Sequence, residues 1–175
     1  MAIRLRLDPM PNIYDAISAT FDGLAVARVG ELAGSTQLGM SIYELQSGQG
    51  MVFHYHLQRE ELLVVLRGTL ALRTASGWQD LPEGEVVAFP RGEYGAHGYE
   101  NRTTKLVRLL MASEQNAPNI SVYPDTNEIG IFDAAKREER RFGALFSLDA
   151  AISDYGGGKA KIAPPAPPQR HGKSR

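Results

Sequence analysis

Apolar positions along this chain come in short runs. From about Leu38 to Ala112 the segments GMSIYELQ, GMVFHYH, ELLVVLRG, TLALRTA, EVVAFP and KLVRLLMAS follow one another, each about the length of a strand and each closed by glycine, proline or a polar cluster. They are rich in Val, Leu, Phe and Tyr, and none keeps a 3.6-residue period long enough to form a helix. Strands at such close spacing, with turn signals between them, predict an all-β barrel or sandwich. Ser76-Gly77 lies between two of the runs and predicts a hairpin turn, while Pro90 marks where EVVAF must stop.

Outside this block the pattern loosens. Residues 1–35 read as an N-terminal arm, with a short helix expected around PNIYDAISATF and a short apolar segment, LAVARV. Residues 36–132 make up the expected barrel, and its last stretch, SVYPDTNEIGIF, reads as extended chain broken by a turn at Pro124-Asp125. A C-terminal extension over residues 133–155 opens on DAAKREERRFGALF, where Asp133 is the expected N-cap of a helix. Residues 156–175, rich in glycine and proline and nearly free of core formers, read as a flexible basic tail.

Composition narrows the function classes. A chain of 175 residues is long enough for one domain with a real core, and a net charge of -1 gives no reason to expect nucleic acid or an anionic membrane as the main partner. The five Lys and Arg residues after Tyr155 have no folded nucleic-acid module beside them, and the first 35 residues are too short and irregular for a helix-turn-helix. Nucleic acid is therefore not an expected partner. No window reaches the roughly 18 to 20 apolar residues of a membrane span, and the N-terminus has basic residues but no apolar h-region. A cytoplasmic location is the expectation. Cysteine is absent, which excludes disulfides, thiolate metal sites and cysteine nucleophiles and fits a reducing compartment.

The chemistry concentrates in HYHLQREELLVVLRG. On a strand, His54 and His56 point to one face and Tyr55 to the other. Glu61 opens the next strand; if the two strands pair as a hairpin, its carboxylate lies beside the imidazoles. Two imidazoles and a carboxylate suit a borderline divalent metal. His97 follows a glycine-rich turn, and the fourth histidine, His171, lies in the expected tail, so the histidines of the folded part all belong to these segments. Glu60 is the alternative carboxylate, or an acceptor for an imidazole N–H. Gly68, Gly84 and Gly92 read as turn positions and Asn101 as a loop tie. Tyr43, Tyr55, Tyr94, Tyr99 and Trp78 are candidates for a pocket wall or for ordinary packing. Tyr94 leads them because it neighbours His97, and Arg91 beside it is either an anion contact or a surface residue.

The segment GQGMVFHYHLQREELLVVLRG resembles the first motif of the cupin superfamily, with Gly48, His54, His56, Glu61 and Gly68 at its places. GEVVAFPRGEYGAHGYEN resembles the second, with Gly84, Pro90, Gly92, His97 and Asn101, though four residues rather than two separate Gly92 from His97. FHYHLQREELL, VVAFPRGEYGAH and SVYPDTNEIG are also similar to a subgroup of small bacterial cupins, so the resemblance runs over roughly residues 35 to 132. It implies a double-stranded β-helix (jelly roll) with His54, His56, Glu61 and His97 facing its interior. It further implies a bound Fe, Mn, Ni, Zn or Co ion and a homodimer.

With three imidazoles and a carboxylate as ligands, one or two coordination positions stay open for water or substrate. The expected function is a small metal-dependent enzyme of dioxygenase or isomerase type, acting on a small organic molecule. The alternative is a non-catalytic cupin that binds or senses a small ligand, or a subunit of a complex. No residue beyond the four ligands is placed well enough by the sequence to be named as acid or base.

Overall fold

The computed structural model describes residues 13–17, 19–21, 24–133 and 141–150. After β1 (Ala19–Phe21), β2 (Leu24–Ala27) and a one-turn helix α1 (Val29–Leu32) come the strands β3 (Leu38–Leu45), β4 (Gly50–His56), β5 (Glu61–Arg67), β6 (Thr69–Thr74) and β7 (Gly77–Pro82). β8 (Val86–Phe89), β9 (His97–Glu100), β10 (Val107–Glu114), β11 (Asn119–Tyr123), β12 (Glu128–Phe132) and β13 (Gly143–Ser147) complete them. They form two antiparallel sheets, in the orders β1-β2-β3-β10-β5-β8 and β13-β12-β11-β4-β9-β6-β7. This is the expected all-β architecture, a double-stranded β-helix.

Alternation sorts each strand into an inner and an outer row. Along β5 the inward positions are Glu61, Leu63 and Val65, and along β10 they are Val107, Leu109, Met111 and Ser113. Between the sheets Leu45, Leu63, Val65, Leu70, Leu72, Phe89, Tyr99, Val107 and Leu109 pack into the main core. A smaller cluster lies on the outer side of the six-stranded sheet, where Ala27, Val29 and Ile42 pack with Ile13, Ile17, Leu66 and Leu110. Apolar side chains on both faces of β5 explain why ELLVVLR reads as a continuous run rather than an alternating one.

The inner rows change character along their length. Toward one end of the barrel they are Leu45, Val65 and Val107; toward the other they become Gly39 and Ser41 on β3, Glu61 on β5 and Ser113 on β10. The facing sheet supplies His54, His56, Asn119 and Ser121 at that same end. A barrel with one dry end and one polar end positions the site.

Several local expectations change. The hairpin of β6 and β7 forms, but its two-residue turn is Ala75-Ser76, and Gly77 pairs with Thr74 at a φ of 110° open to glycine. The turn at Pro124-Asp125 joins β11 to β12 as expected. Where a helix was expected near the N-terminus, residues 13–17 make a turn and Ala19–Phe21 pairs with β2, extending the six-stranded sheet. The helix expected from Asp133 falls largely outside the described residues; Asp133 accepts the Arg141 N–H, and GALF is β13, paired to β12. The expected tail, residues 156–175, also lies outside them.

Candidate metal centre

The two halves of the first motif do not pair. β4 lies between β11 and β9, whereas β5 lies between β10 and β8 in the opposite sheet. Glu61 therefore reaches the imidazoles across the barrel interior and not along a hairpin. His56 Nε2 and His97 Nε2 stand 3.3 and 3.4 Å from Glu61 Oε2. His54 and His97 are direct cross-strand partners on β4 and β9, with ring centroids 4.8 Å apart, and His56 meets His54 edge-on at 4.9 Å.

The longer spacing before His97 is absorbed by one turn of 3-10 helix, Glu93–Gly95. Gly92 starts it at a φ of 80° and donates its N–H to His56 O at 2.8 Å, fastening the loop to the end of β4. Gly95 then presses so close to Pro90 that a Cβ would lie 1.8 Å from its carbonyl oxygen. The extra residues are folded into this turn, and His97 emerges opposite His54 with only 1% of its surface exposed. Phe89 covers its other face, stacked at 3.7 Å and 10°.

Each imidazole is held through Nδ1. His54 Nδ1 lies 2.9 Å from Val52 O and His97 Nδ1 2.9 Å from Gly95 O; a carbonyl only accepts, so both nitrogens carry the proton and both Nε2 atoms are lone-pair donors in the neutral ring. His56 Nδ1 lies 3.0 Å from Ser121 Oγ on the neighbouring β11. His97 Nε2 is buried and has no hydrogen-bond partner among the described residues, although it faces the cluster. His54, His56 and Glu61 each offer a ligand atom within 4.8 Å of the others. An orphaned buried imidazole nitrogen beside such a group is what a divalent ion would satisfy, and the N/O donor set fits one.

Electrostatics keeps the donors ready. Burial pushes His54 down to about 4, with His97 and His56 adding to the shift, and burial also lowers His97. For Glu61 burial pulls upward, but the hydrogen bond from His56 and the surrounding imidazoles outweigh it and bring the carboxyl to about 2. Neutral His54 and His97 rings beside an ionised Glu61 carboxylate are in the protonation states that ligation requires.

Of the remaining sequence candidates, none joins this cluster. Glu60 is exposed in the loop before β5, so Glu61 is the carboxylate beside the imidazoles. Arg91 makes a paired contact to Glu114, at 3.1 Å through Nε and 2.6 Å through Nη2, on the outer surface. Tyr94 is 98% exposed, because the 3-10 turn that carries it points its side chain into solvent. Asn101 is buried away from the cluster, donating to Leu45 O and Lys105 O and accepting from Thr103, so it ties the loop between β9 and β10.

The cluster lines a cavity of about 470 Å³. Arg28, Glu31, Tyr43, Arg59 and Gln115 line it together with Asn119, Ser121 and Tyr123 of β11. Of these the sequence pointed only to Tyr43 as a wall candidate. The signal for the others is alternation: in NISVY, Asn119, Ser121 and Tyr123 share a face, which turns inward once β11 is known to pair with β4. Tyr123 stacks on His54 at 6.0 Å.

A family model for the cupin domain matches residues 41–113. Among solved structures, the chain is similar to a sugar phosphate isomerase of the cupin superfamily from Silicibacter pomeroyi, with a TM-score of 0.67 and 25% identity over 85% of this chain and 94% of that one. It is also similar to a protein from Acidithiobacillus ferrooxidans, provisionally described as a sugar phosphate isomerase, with a TM-score of 0.66 and 18% identity over 74% and 79% of the two chains. At that identity the second likeness concerns the fold alone. No curated protein matches the sequence.

Proposed function

The chain carries a cupin-type domain over residues 41–113, and from that premise we propose that it is a divalent-metal-dependent enzyme isomerising a small hydroxy-carbonyl compound. One observation carries the reading: the imidazoles are each fixed through Nδ1 around an ionised carboxylate, inside a cavity large enough for a small molecule. His54, His56, His97 and Glu61 would hold the ion. When bound, it would supply Lewis-acid polarisation of a carbonyl oxygen.

The protein's own groups do the rest. Burial raises the Tyr43 phenol above its ordinary value, so it keeps its proton and can donate to a substrate oxygen from β3, in the same sheet as Glu61. Glu31 lines the same cavity and is the carboxylate we assign to proton transfer. Phe89 and Tyr123 shield the imidazoles from water. Isomerisation is preferred to oxygen chemistry because of the likeness to the Silicibacter pomeroyi isomerase, which extends over nearly all of that chain.

The test is proton exchange in deuterated water on metal-reconstituted protein, followed by NMR with three- to six-carbon aldoses and ketoses, free and phosphorylated. Deuterium should enter beside the carbonyl of at least one compound, and Glu61→Gln should slow this at least about a hundredfold, as expected for loss of a ligand. A chain that binds metal stoichiometrically and a sugar tightly, yet exchanges nothing, is a binding protein and the isomerase reading fails.

A further inference from the structure

Asn119 opens β11 with its side chain turned into the cavity, and only 8% of its surface is exposed. Its Oδ1 is buried and has no hydrogen-bond partner among the described residues. The other buried asparagine among the described residues, Asn101, has both ends of its amide satisfied. A buried amide oxygen left unpaired has lost its hydration with nothing in return, so such a group is seldom kept for the fold alone. Nor does Asn119 hold a ligand ring, since the anchors of the imidazoles are Val52, Gly95 and Ser121.

Its position is informative. Ser121, which anchors His56, is two residues further along β11 on the same face, so Asn119 stands roughly 7 Å from it along the strand. We infer that Asn119 is a specificity-determining residue that accepts a hydrogen bond from a substrate hydroxyl distant from the reacting end. The inference rests on the metal-centred reading above and narrows it: the substrate is polyhydroxylated, with at least one hydroxyl beyond the carbonyl and its neighbour. A site built to pair a hydroxyl rejects an analogue without it, because the buried amide is then left as it stands here. Arg59 and Gln115, which line the same cavity, extend its polar character.

The experiment uses the full chain reconstituted with manganese(II), titrated calorimetrically with D-erythrose, D-ribose and D-xylose. Glycolaldehyde is the comparison compound, keeping the carbonyl and adjacent hydroxyl and nothing beyond. Wild type should bind at least one sugar about tenfold or more tighter than glycolaldehyde. In Asn119→Leu that preference should vanish with manganese stoichiometry unchanged. A preference that persists in Asn119→Leu, or its absence in wild type, overturns the inference and leaves the metal-centred reading standing. Repeating the titrations after chelation separates the two: a preference that still depends on Asn119 without metal supports the inference even if manganese uptake fails. Melting closes the remaining route. Asn119→Leu without ligand should melt at or above the wild-type temperature, and a fall of more than about 5 °C would mark a structural amide and overturn the proposal.

Discussion

Ser121 is nearly fully buried and makes one contact that matters to the site, its hydroxyl against His56 Nδ1. Removing it leaves His56 on β4 but frees its ring and its tautomer. Ser121→Ala should therefore weaken metal binding about 10- to 100-fold with little change in the fold, measured by competition against a chelator of known affinity. An unchanged affinity would mean that packing alone orients His56. Acid should act on the same residues. His54 binds its proton near 6.5 when unfolded and only near 4 when folded, so stability is full above about pH 6.5 and falls as pH drops toward 4. Glu61 works in the same direction one step lower, its contribution being present above about 4.5 and lost toward about 2. The melting temperature of the chelated protein should thus decline steadily below pH 6.5. Glu61→Gln should flatten the lower part of that decline. At this scale the ligands were legible because imidazole is rare in this chain and its spacing is distinctive. Ser121 and Asn119 were not, since a small polar residue on a strand has meaning only once its neighbour across the sheet is known.

The hairpin expectation failed at the level of elements. His54, His56 and Glu61 are close in sequence, and adjacency along the chain made pairing of β4 with β5 the natural expectation. The loop after His56 instead carries the chain over to the other sheet, and the same residues meet face to face. Pairing between sheets is decided by which inner rows pack together, and local sequence does not record that. The 3-10 turn before His97 was equally hidden. Its two additional residues look like a displacement of the ligand but are taken up by a loop fastened to His56 O. Gly95 is the position that makes this compactness possible, so Gly95→Ala should force the loop outward. We expect a loss of about 2–3 kcal/mol in urea unfolding, the cost of overpacking against backbone, together with weaker metal binding. Normal stability and normal affinity together would show that the turn relaxes without moving His97.

For the molecule as a whole, the all-β character was plain from run length and turn spacing, whereas β1, β2 and β13, which extend the two sheets from outside residues 36–132, were not. The division of its interior into a dry and a polar end was legible in part, because Glu61 heads an otherwise apolar run. Gly39, Ser41 and Ser113 carry no such mark. That division has a mechanical consequence. The imidazoles stand on one sheet and the carboxylate on the other, so an ion held between them would clasp the two halves of the barrel at the end where least apolar surface joins them. Mass action then ties rigidity to supply: at a hundredfold excess over its Kd, a ligand of the folded state adds about 2.7 kcal/mol. Stripping the ion should lower the melting temperature by several degrees and loosen the cavity mouth first, seen as faster amide exchange at His56 and Glu61 than at Leu63 or Leu109. Metal supply would then govern how tightly the barrel mouth stays shut.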